Sequence, residues 1–268
     1  MTGCAAKAMS TSAASAELSG RPATTPTEGS VVRVVASIEG IGKANSTDEV
    51  LVRLRRLLVD LGADAAVFTS FLRDDATLAS YRSLVACDPL WSAEYARSQW
   101  FEDDPWLRHA MSDSEPVRAV EIVLRSSREE AFATAASRAG FASAVIAPAP
   151  SSHGQARVGM LAIGSATPGR YDGEDYGATR VLARALAMEL HAWLARSILR
   201  ELIDKARITA DDVALLRHEA DGHSSKAIAS ELKIEATTID CRFQRISAKL
   251  GAPNRRAAVR LARLYGLL

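Results

Sequence analysis

Lysine is almost missing from the body of this 268-residue chain, because none occurs from residue 44 through residue 204. A phosphoacceptor receiver domain needs a lysine near the end of its sheet, and Schiff-base and phosphate-loop chemistry each need one as well. These three functions are therefore excluded from that stretch of the chain.

Cysteine is also scarce, and long apolar runs are absent. Cys4, Cys87 and Cys241 are odd in number, far apart and without a C-x-x-C pair. We therefore expect neither a disulfide framework nor a zinc site, and a reducing cytoplasm fits this usage. No run of about 18 apolar residues exists, and the N-terminus lacks a continuous apolar segment, so we expect no membrane span and no signal peptide.

Catalytic motifs are missing too. Cys87, His109 and His153 are residue types that thiol catalysis uses, but no G-x-S-x-G motif and no metal-ligand spacing accompanies them. The sequence therefore predicts no enzyme, no metal site and no cofactor.

The charge of the chain is unevenly distributed. The net charge is +1, whereas residues 233–268 hold eight Lys and Arg against two Asp and Glu. Such a local excess indicates an anionic partner for the C-terminal segment, and double-stranded DNA is the first candidate.

Composition and periodicity divide the chain into four parts. Residues 1–29 contain almost no large apolar side chain, which predicts a disordered tail. Residues 30–200 alternate between helical and strand periodicity and are predicted to form one domain. A charged link over 201–207 and an all-α domain over 208–268 complete the chain. The predicted fold class is α+β.

Within the larger domain, the pattern predicts three helices and four short strands. A helix begins at Thr47 and is ended by Gly62, another lies near 126–139, and a long one spans 173–202 with Asp172 as its cap. The apolar stripe of the long helix covers the sheet or contacts a second subunit. The predicted strands are short segments bounded by turn residues: 65–71, 79–87, 141–148 and 156–164.

The C-terminal domain is predicted to contain four helices. Thr209 with Asp212 forms a capping-box-like start, Ser224 and Asn254 are predicted caps of the second and fourth helices, and Gly251 ends the third. Two short helices joined by a tight turn and followed by a longer cationic helix are typical of a helix-turn-helix domain.

The third of these helices carries two opposite faces. An apolar stripe consists of Ile239, Phe243, Ile246 and Leu250, which fall close together around the helix axis. The other side presents small and polar residues, and Gln and Arg can bind adenine and guanine edges with paired hydrogen bonds. The alternative for such a helix is an ordinary solvated surface. The residues predicted to face DNA are Thr238, Cys241, Gln244, Arg245, Ala248 and Lys249, with Arg242 at the flank.

Residues 208–259 resemble the LuxR/GerE helix-turn-helix module without a gap. The matches include Thr209, Leu216, Gly222, Ile228 and the "KLG" run at 249–251. The resemblance implies that one set of residues contacts phosphates: Lys226, Thr238, Arg242 and Lys249. It implies that a second set reads bases: Cys241, Gln244 and Arg245.

The segment from Trp91 to Ala119 resembles the autoinducer-binding domain of LuxR-type quorum-sensing receptors. Trp91, Tyr95 and Asp104 stand at that family's spacing. The resemblance implies an α-β-α sandwich that encloses an acyl-homoserine lactone. An aromatic face packs a lactone ring, a phenol donates to a carbonyl, and a buried carboxylate accepts from an amide N–H. Without a ligand, Trp91 and Tyr95 would be a core pair and Asp104 a turn residue before proline.

Several positions depart from the family's ligand pocket. Ala119 stands where these receptors carry a tryptophan that binds the lactone carbonyl, and Cys87, Ala144 and Ala162 stand where Tyr, Gly and Ser or Thr are usual. Each lost hydrogen bond removes about 1 kcal/mol of binding free energy, which other contacts with the ligand would have to supply. The pocket therefore takes a different ligand, binds lactones weakly, or is empty.

These observations lead to two hypotheses. In the first, the protein is a cytoplasmic, dimeric, DNA-binding transcription regulator that senses an acyl-homoserine lactone or a related small amphiphile. In the second, it is a ligand-independent regulator whose N-terminal domain is a dimerisation scaffold. The residues predicted to line the ligand site are Trp91, Tyr95, Asp104, Cys87, Ala119 and Ala162.

Overall fold

The computed structural model describes residues 28–73, 79–150 and 157–268. The tail predicted for residues 1–29 lies outside the described residues except for its last two, which already belong to a helix. Cys4 and His153 lie outside them as well. The chain forms two compact units that divide between Trp193 and Leu194.

The first unit contains a five-stranded sheet with the order β2-β1-β5-β4-β3. Strand β5 pairs antiparallel with β1 and β4, and β4 pairs antiparallel with β3. Four of these strands correspond to the four predicted segments, whereas the two-residue β3 was not predicted. The strands are β1 (Ala65–Arg73), β2 (Ala79–Ala86), β3 (Val117–Arg118), β4 (Ser143–Pro150) and β5 (Arg157–Ser165).

Helices lie on both faces of this sheet, and two glycines of β5 show which helices. A Cβ on Gly159 would lie 2.7 Å from Nδ1 of His191, in the long helix. A Cβ on Gly164 would overlap the ring of Phe141, in the helical turn Ser137–Phe141. Residues 159 and 164 point to opposite faces because side chains alternate along a strand. The predicted α-β-α sandwich is therefore confirmed.

Three helices of the first unit were not predicted: α1 (Glu28–Ile41), α3 (Pro89–Arg97) and α4 (Pro105–Ser112). In α1 the buried Val34, Ile38 and Ile41 are spaced i, i+4, i+7. The valines and small residues of α1 have low helix propensity, so the sequence did not predict this helix. Helix α2 starts after Ser46, whose hydroxyl accepts from the Glu49 amide, and ends at Gly62, as predicted. The helices are α1 (Glu28–Ile41), α2 (Thr47–Leu61), α3 (Pro89–Arg97), α4 (Pro105–Ser112) and α5 (Ser127–Ala136).

The long helix α6 (Tyr176–Ala206) differs from its prediction at both ends. The predicted cap, Asp172, is wrong: its carboxylate is bound by Arg118 at 3.0 Å, and the residues before Tyr176 form turns. The helix also continues through residues 201–206, where a link was predicted. The helix ends where the backbone leaves the helical conformation, at Arg207, which has a φ of 50°.

The apolar stripe of α6 is buried inside the chain. Leu186, Leu190 and Trp193 are at most 1% exposed, and the Trp193 indole donates to the Ala44 carbonyl at 2.7 Å. The stripe therefore covers the sheet, and the alternative that it contacts a second subunit is wrong for these three side chains.

The second unit contains the end of α6 and four further helices. The predicted caps are confirmed: Thr209, Ser224 and Asn254 each accept from a backbone amide, and Gly251 ends the third helix with φ of 67°. These helices pack around one apolar core. They are α7 (Ala210–Ala220), α8 (Ser225–Leu232), α9 (Ala236–Leu250) and α10 (Arg255–Leu264).

Across the described ranges, none of the helices is both long and apolar enough to cross a membrane. In the same part of the chain, His, Cys, Asp and Glu side chains form no group of three that could hold a metal ion.

Candidate functional site

The side chain of Asp104 is the centre of the candidate effector site. It caps α4: Oδ1 accepts from the backbone amides of Trp106 at 2.8 Å and Leu107 at 3.1 Å. Oδ2 accepts from the Tyr95 hydroxyl at 2.8 Å. Asp104 is only 4% exposed, so α3 and α4 are joined by a buried, charge-bearing hydrogen-bond network.

Burial changes the acidity of both partners. Burial raises the pKa of Asp104 from 3.8 to about 6, against the opposing hydrogen bonds from Leu107, Tyr95 and Trp106. Burial and the neighbouring Asp104 carboxylate raise the pKa of the Tyr95 phenol well above its usual value. The phenol is therefore a neutral donor, and Asp104 is a carboxylate close to its titration point at neutral pH.

The hydrogen-bond capacity of this pair is partly used. An ionised carboxylate offers about four acceptor positions, and protein donors occupy three of those on Asp104. The Tyr95 hydrogen points at Asp104, so it is not directed at an effector carbonyl as the sequence suggested. The pair therefore offers acceptors: the remaining position on Asp104 and the phenol oxygen of Tyr95.

Aromatic rings from five segments pack together beside the pair. Phe132, in α5, is fully buried and makes edge-to-face contacts with Trp91, Tyr95, Trp100 and Trp106 at centroid distances of 5.0 to 6.4 Å. Phe141 adds contacts with Trp91 and Trp106. Such pairs favour this perpendicular arrangement, so the cluster provides one stiff apolar wall beside a buried carboxylate.

The remaining predicted ligand residues, Cys87, Ala119 and Ala162, lie on other elements of the first unit. Ala162 lies on β5 two residues from Gly164, so both point toward the face that Phe141 covers. Ala119 begins a short 3-10 turn, Ala119–Glu121, which follows β3. The thiol of Cys87 donates weakly to the Asp88 carbonyl. Within the described residues, hydrogen bonds and ring contacts connect Trp91, Tyr95 and Asp104 with one another. They do not connect Cys87, Ala119 or Ala162 to that group.

Burial also decides the chemistry of Cys87. Burial, with a smaller contribution from the charge of Asp88, raises the pKa of its thiol to about 12. The thiolate is the nucleophilic form of cysteine, and it is not populated at neutral pH. Burial therefore disfavours the nucleophilic form of Cys87.

Helix α9 shows the two faces that the sequence predicts. Ile239, Phe243 and Ile246 are at most 3% exposed, and Leu250 is half-buried. Four residues on the opposite side are exposed: Cys241, Gln244, Arg245 and Ala248. Thr238 and Arg242 are half-exposed at the flanks, and Lys226 of α8 is exposed. The helix therefore presents small side chains, an amide and a guanidinium on one free surface.

Lys249 lies differently from its prediction. Its Nζ donates to Oδ2 of Asp212 at 2.6 Å and to the Arg207 carbonyl at 2.8 Å. Burial alone would raise the pKa of Asp212, but the hydrogen bonds from Lys249 and the Thr209 amide lower it below its usual value. Lys249 is thus held by partners in its own chain rather than directed outward with Gln244 and Arg245.

Two family models match this chain. Residues 46–194 match the autoinducer binding domain, and residues 208–262 match the model described as bacterial regulatory proteins, luxR family. The chain belongs to the LuxR family. It is a LuxR-type transcription regulator with an autoinducer-binding domain and a DNA-binding helix-turn-helix domain, and such proteins are not enzymes. Both resemblances stated from the sequence are confirmed.

Solved LuxR-type structures share the fold at low sequence identity. Escherichia coli SdiA matches with a TM-score of 0.70 and 17% identity, covering 88% of this chain and 98% of SdiA. SdiA in complex with octanoyl-rac-glycerol gives 0.68 and 15%, covering 90% and 97%. CepR2 of Burkholderia cenocepacia, an N-acylhomoserine lactone dependent LuxR family factor, gives 0.53 and 16%, covering 62% and 96%. No curated protein sequence matches the chain.

Some contacts in this LuxR-type regulator were missed by the sequence. Phe132 and Phe141 come from segments far from Trp91, and no periodicity connects them. Asp240, on α9, accepts from the Ser225 hydroxyl at 2.6 Å, and Arg255 donates to the same hydroxyl while pairing with Glu219. These contacts depend on how the helices pack against one another in space. A sequence pattern does not contain that information.

Proposed function

We propose that this LuxR-family regulator binds DNA as a homodimer and senses a small amphiphile. The amphiphile has an acyl tail and a head group that donates a hydrogen bond to Asp104. The observation that carries this proposal is the buried Asp104 carboxylate, with three protein donors and one acceptor position left. A buried charge is expensive unless its hydrogen-bonding capacity is used, so a fourth donor stabilises the complex.

The head group is a hydroxyl or an amide N–H rather than a bare carbonyl. Tyr95 already donates to Asp104, and Ala119 replaces the tryptophan that holds the lactone carbonyl in typical receptors. The site therefore offers acceptors where a lactone receptor also offers donors. Glycerol esters and acyl amides both satisfy this pattern, and among the relatives SdiA has been solved with octanoyl-rac-glycerol.

The acyl tail lies along the aromatic wall formed by Trp91, Phe132 and Phe141. Each methylene group removed from water contributes about 0.8 kcal/mol. A medium-length chain therefore supplies most of the affinity, whereas the head group sets specificity. Ala144 and Ala162 are small and buried on the sheet face beside Phe141, which favours a wide pocket.

Homodimerisation follows from the size of the DNA-binding unit. A single short recognition helix makes too few contacts for tight, specific binding, so helix-turn-helix proteins normally use two half-sites. Effector binding stabilises the sensor unit by mass action and favours the dimer competent for DNA. The protein acts in the cytoplasm, where the bacterial chromosome lies.

The test uses protein purified from a host that makes no acyl-lactones. Operators selected in vitro from a random duplex library are titrated with this protein, with and without octanoyl-rac-glycerol and an N-acyl homoserine lactone. We expect at least one probe to increase operator affinity. Full affinity without any effector would contradict the sensing proposal and support the alternative, a ligand-independent regulator with a dimerisation scaffold.

Restoring the missing tryptophan should improve lactone binding. Ala119→Trp is expected to raise the affinity for an N-acyl homoserine lactone about two- to tenfold, since one regained neutral hydrogen bond contributes about 0.5 to 1.5 kcal/mol. Isothermal titration measures the change. Val120→Trp is the matched control because Val120 is 75% exposed. If both variants improve affinity equally, added apolar surface rather than a lactone hydrogen bond is responsible.

A further inference from the structure

The residues between α6 and α7 are hydrogen-bonded to the C-terminal end of α9. Arg207 follows α6 in the left-handed conformation, which is uncommon for a residue with a Cβ. Its carbonyl accepts from Nζ of Lys249 in the last turn of α9 at 2.8 Å. Two elements distant in sequence are thereby connected at the point where the chain changes direction.

The same lysine also joins the start of α7. Oδ2 of Asp212 accepts from Nζ of Lys249 at 2.6 Å and from the Thr209 amide at 3.0 Å. The Lys249 and Asp212 side chains are 31% and 16% exposed, so solvent screens this ion pair less than a surface pair. Leu199 and Ala206 of α6 pack on the same apolar core as α9. The end of α6, the start of α7 and the end of α9 therefore form one braced body.

We propose that Lys249 is a positioning residue rather than a phosphate contact: through Asp212 and the Arg207 carbonyl it sets the angle at which α9 presents Gln244 and Arg245. Two of the three donors of its ammonium group are used inside the protein. Moving it to a phosphate would leave the buried end of the Asp212 carboxylate short of a partner. This inference requires DNA binding by α9, part of the proposed function, but neither the dimer nor the effector.

The two roles predict opposite results for Asp212. If Lys249 contacted a phosphate, Asp212→Asn would free the lysine and remove a negative charge near DNA, so affinity would stay the same or rise. If Lys249 positions α9, Asp212→Asn releases the brace and specific affinity falls. Asp211→Asn is the matched control, because Asp211 is an exposed carboxylate in the same helical turn.

The experiment measures binding of the full chain to a selected operator and to a random duplex over a range of salt concentrations, at a temperature where circular dichroism shows every variant folded. The variants are Lys249→Met, Asp212→Asn and the double variant. A lost phosphate contact reduces the slope of log affinity against log salt by about 0.9. A lost brace lowers operator affinity without changing that slope.

We expect Lys249→Met and Asp212→Asn each to lower operator affinity about fivefold or more, with random-duplex affinity and salt slope unchanged. The double variant should lose no more than either single variant, because both remove the same contact. A slope reduced by about 0.9 in Lys249→Met, or operator affinity retained in Asp212→Asn, overturns the inference. Failure of the unaltered protein to bind any selected duplex instead overturns DNA binding itself.

Discussion

Asp104→Asn is expected to lower effector affinity about 10- to 150-fold, because a hydrogen bond to a charged group contributes about 1.5 to 3 kcal/mol. The asparagine oxygen can still cap α4 through the Trp106 and Leu107 amides, so the helix start is preserved. Its amide nitrogen, however, places a donor where the carboxylate offered its free acceptor. Calorimetry with octanoyl-rac-glycerol measures the loss.

The matched control for this variant is Asp103→Asn. Asp103 is the preceding residue, but its carboxylate pairs with Arg128 at 2.9 Å and takes no part in the Tyr95 and Asp104 pair. The control removes the same charge within one residue of the site. Unchanged effector affinity in Asp104→Asn, or an equal loss in Asp103→Asn, would take Asp104 out of the binding site.

The same variant should change how stability depends on pH. Burial raises the pKa of Asp104 to about 6, so between about pH 4 and pH 6 the folded protein holds a proton that the unfolded chain releases. The stability contributed by that proton is fully present below pH 4 and is lost as the pH rises through 6, by roughly 3 kcal/mol. Asp104→Asn does not titrate.

Urea denaturation at several pH values tests this difference. Relative to the unaltered protein, Asp104→Asn should gain stability as the pH rises. The difference in the free energy of unfolding should increase by roughly 3 kcal/mol between pH 4 and pH 7. Other carboxylates titrate equally in both proteins and cancel. A difference that is constant with pH would mean that Asp104 is not a buried carboxylate. An effector donor favours the ionised form, so effector affinity should rise through the same interval.

Arg245→Ala is expected to cost about 1 to 3 kcal/mol in operator binding, a loss of roughly 5- to 150-fold. Arg245 is exposed on the side of α9 opposite the buried Ile239 and Phe243. A guanidinium placed there can form two hydrogen bonds with a guanine edge, and alanine forms none. The variant should therefore tolerate substitutions at one base pair of each half-site that the unaltered protein rejects.

Arg217→Ala provides the comparison, because Arg217 is an exposed arginine on α7 rather than on α9. Competition with a panel of single-base operator variants measures both proteins. Arg217→Ala should leave the ranking of the panel unchanged. If Arg245→Ala weakens every duplex equally and flattens the salt dependence, Arg245 contacts phosphate and Gln244 is left as the principal base-reading residue.

The helix-turn-helix domain could be predicted almost completely from its residues. Each helix there is bounded by a nearby cap, such as Thr209 with Asp212 or Ser224 with the Ala227 amide, and the interacting groups are three residues apart. The stripe of Ile239, Phe243 and Ile246 needs only the helical period to be recognised. The intrachain contacts of Lys249 could not be predicted, because its partners lie 37 and 42 residues away.

The sensor unit was predictable only in outline. Strand positions followed from short β-branched and aromatic runs, and the Trp91, Tyr95 and Asp104 spacing indicated the family. The start of α6 was misplaced because the Asp172 carboxylate, a good cap in sequence terms, is used by Arg118 across the fold. The sequence also contained no indication that the Tyr95 hydroxyl donates to Asp104.

By itself, then, the sequence determined the four helices of the C-terminal domain, the two faces of α9, four of the five strands and which family the chain resembles. These properties depend on periodicity and on groups a few residues apart. The tertiary structure alone decided that Phe132 joins the Trp91 and Asp104 cluster, that Tyr95 donates to Asp104, and that Lys249 is bound to Asp212 and Arg207. Those contacts depend on how distant segments pack, because the energy of a hydrogen bond or a buried charge depends on partners that no local pattern specifies.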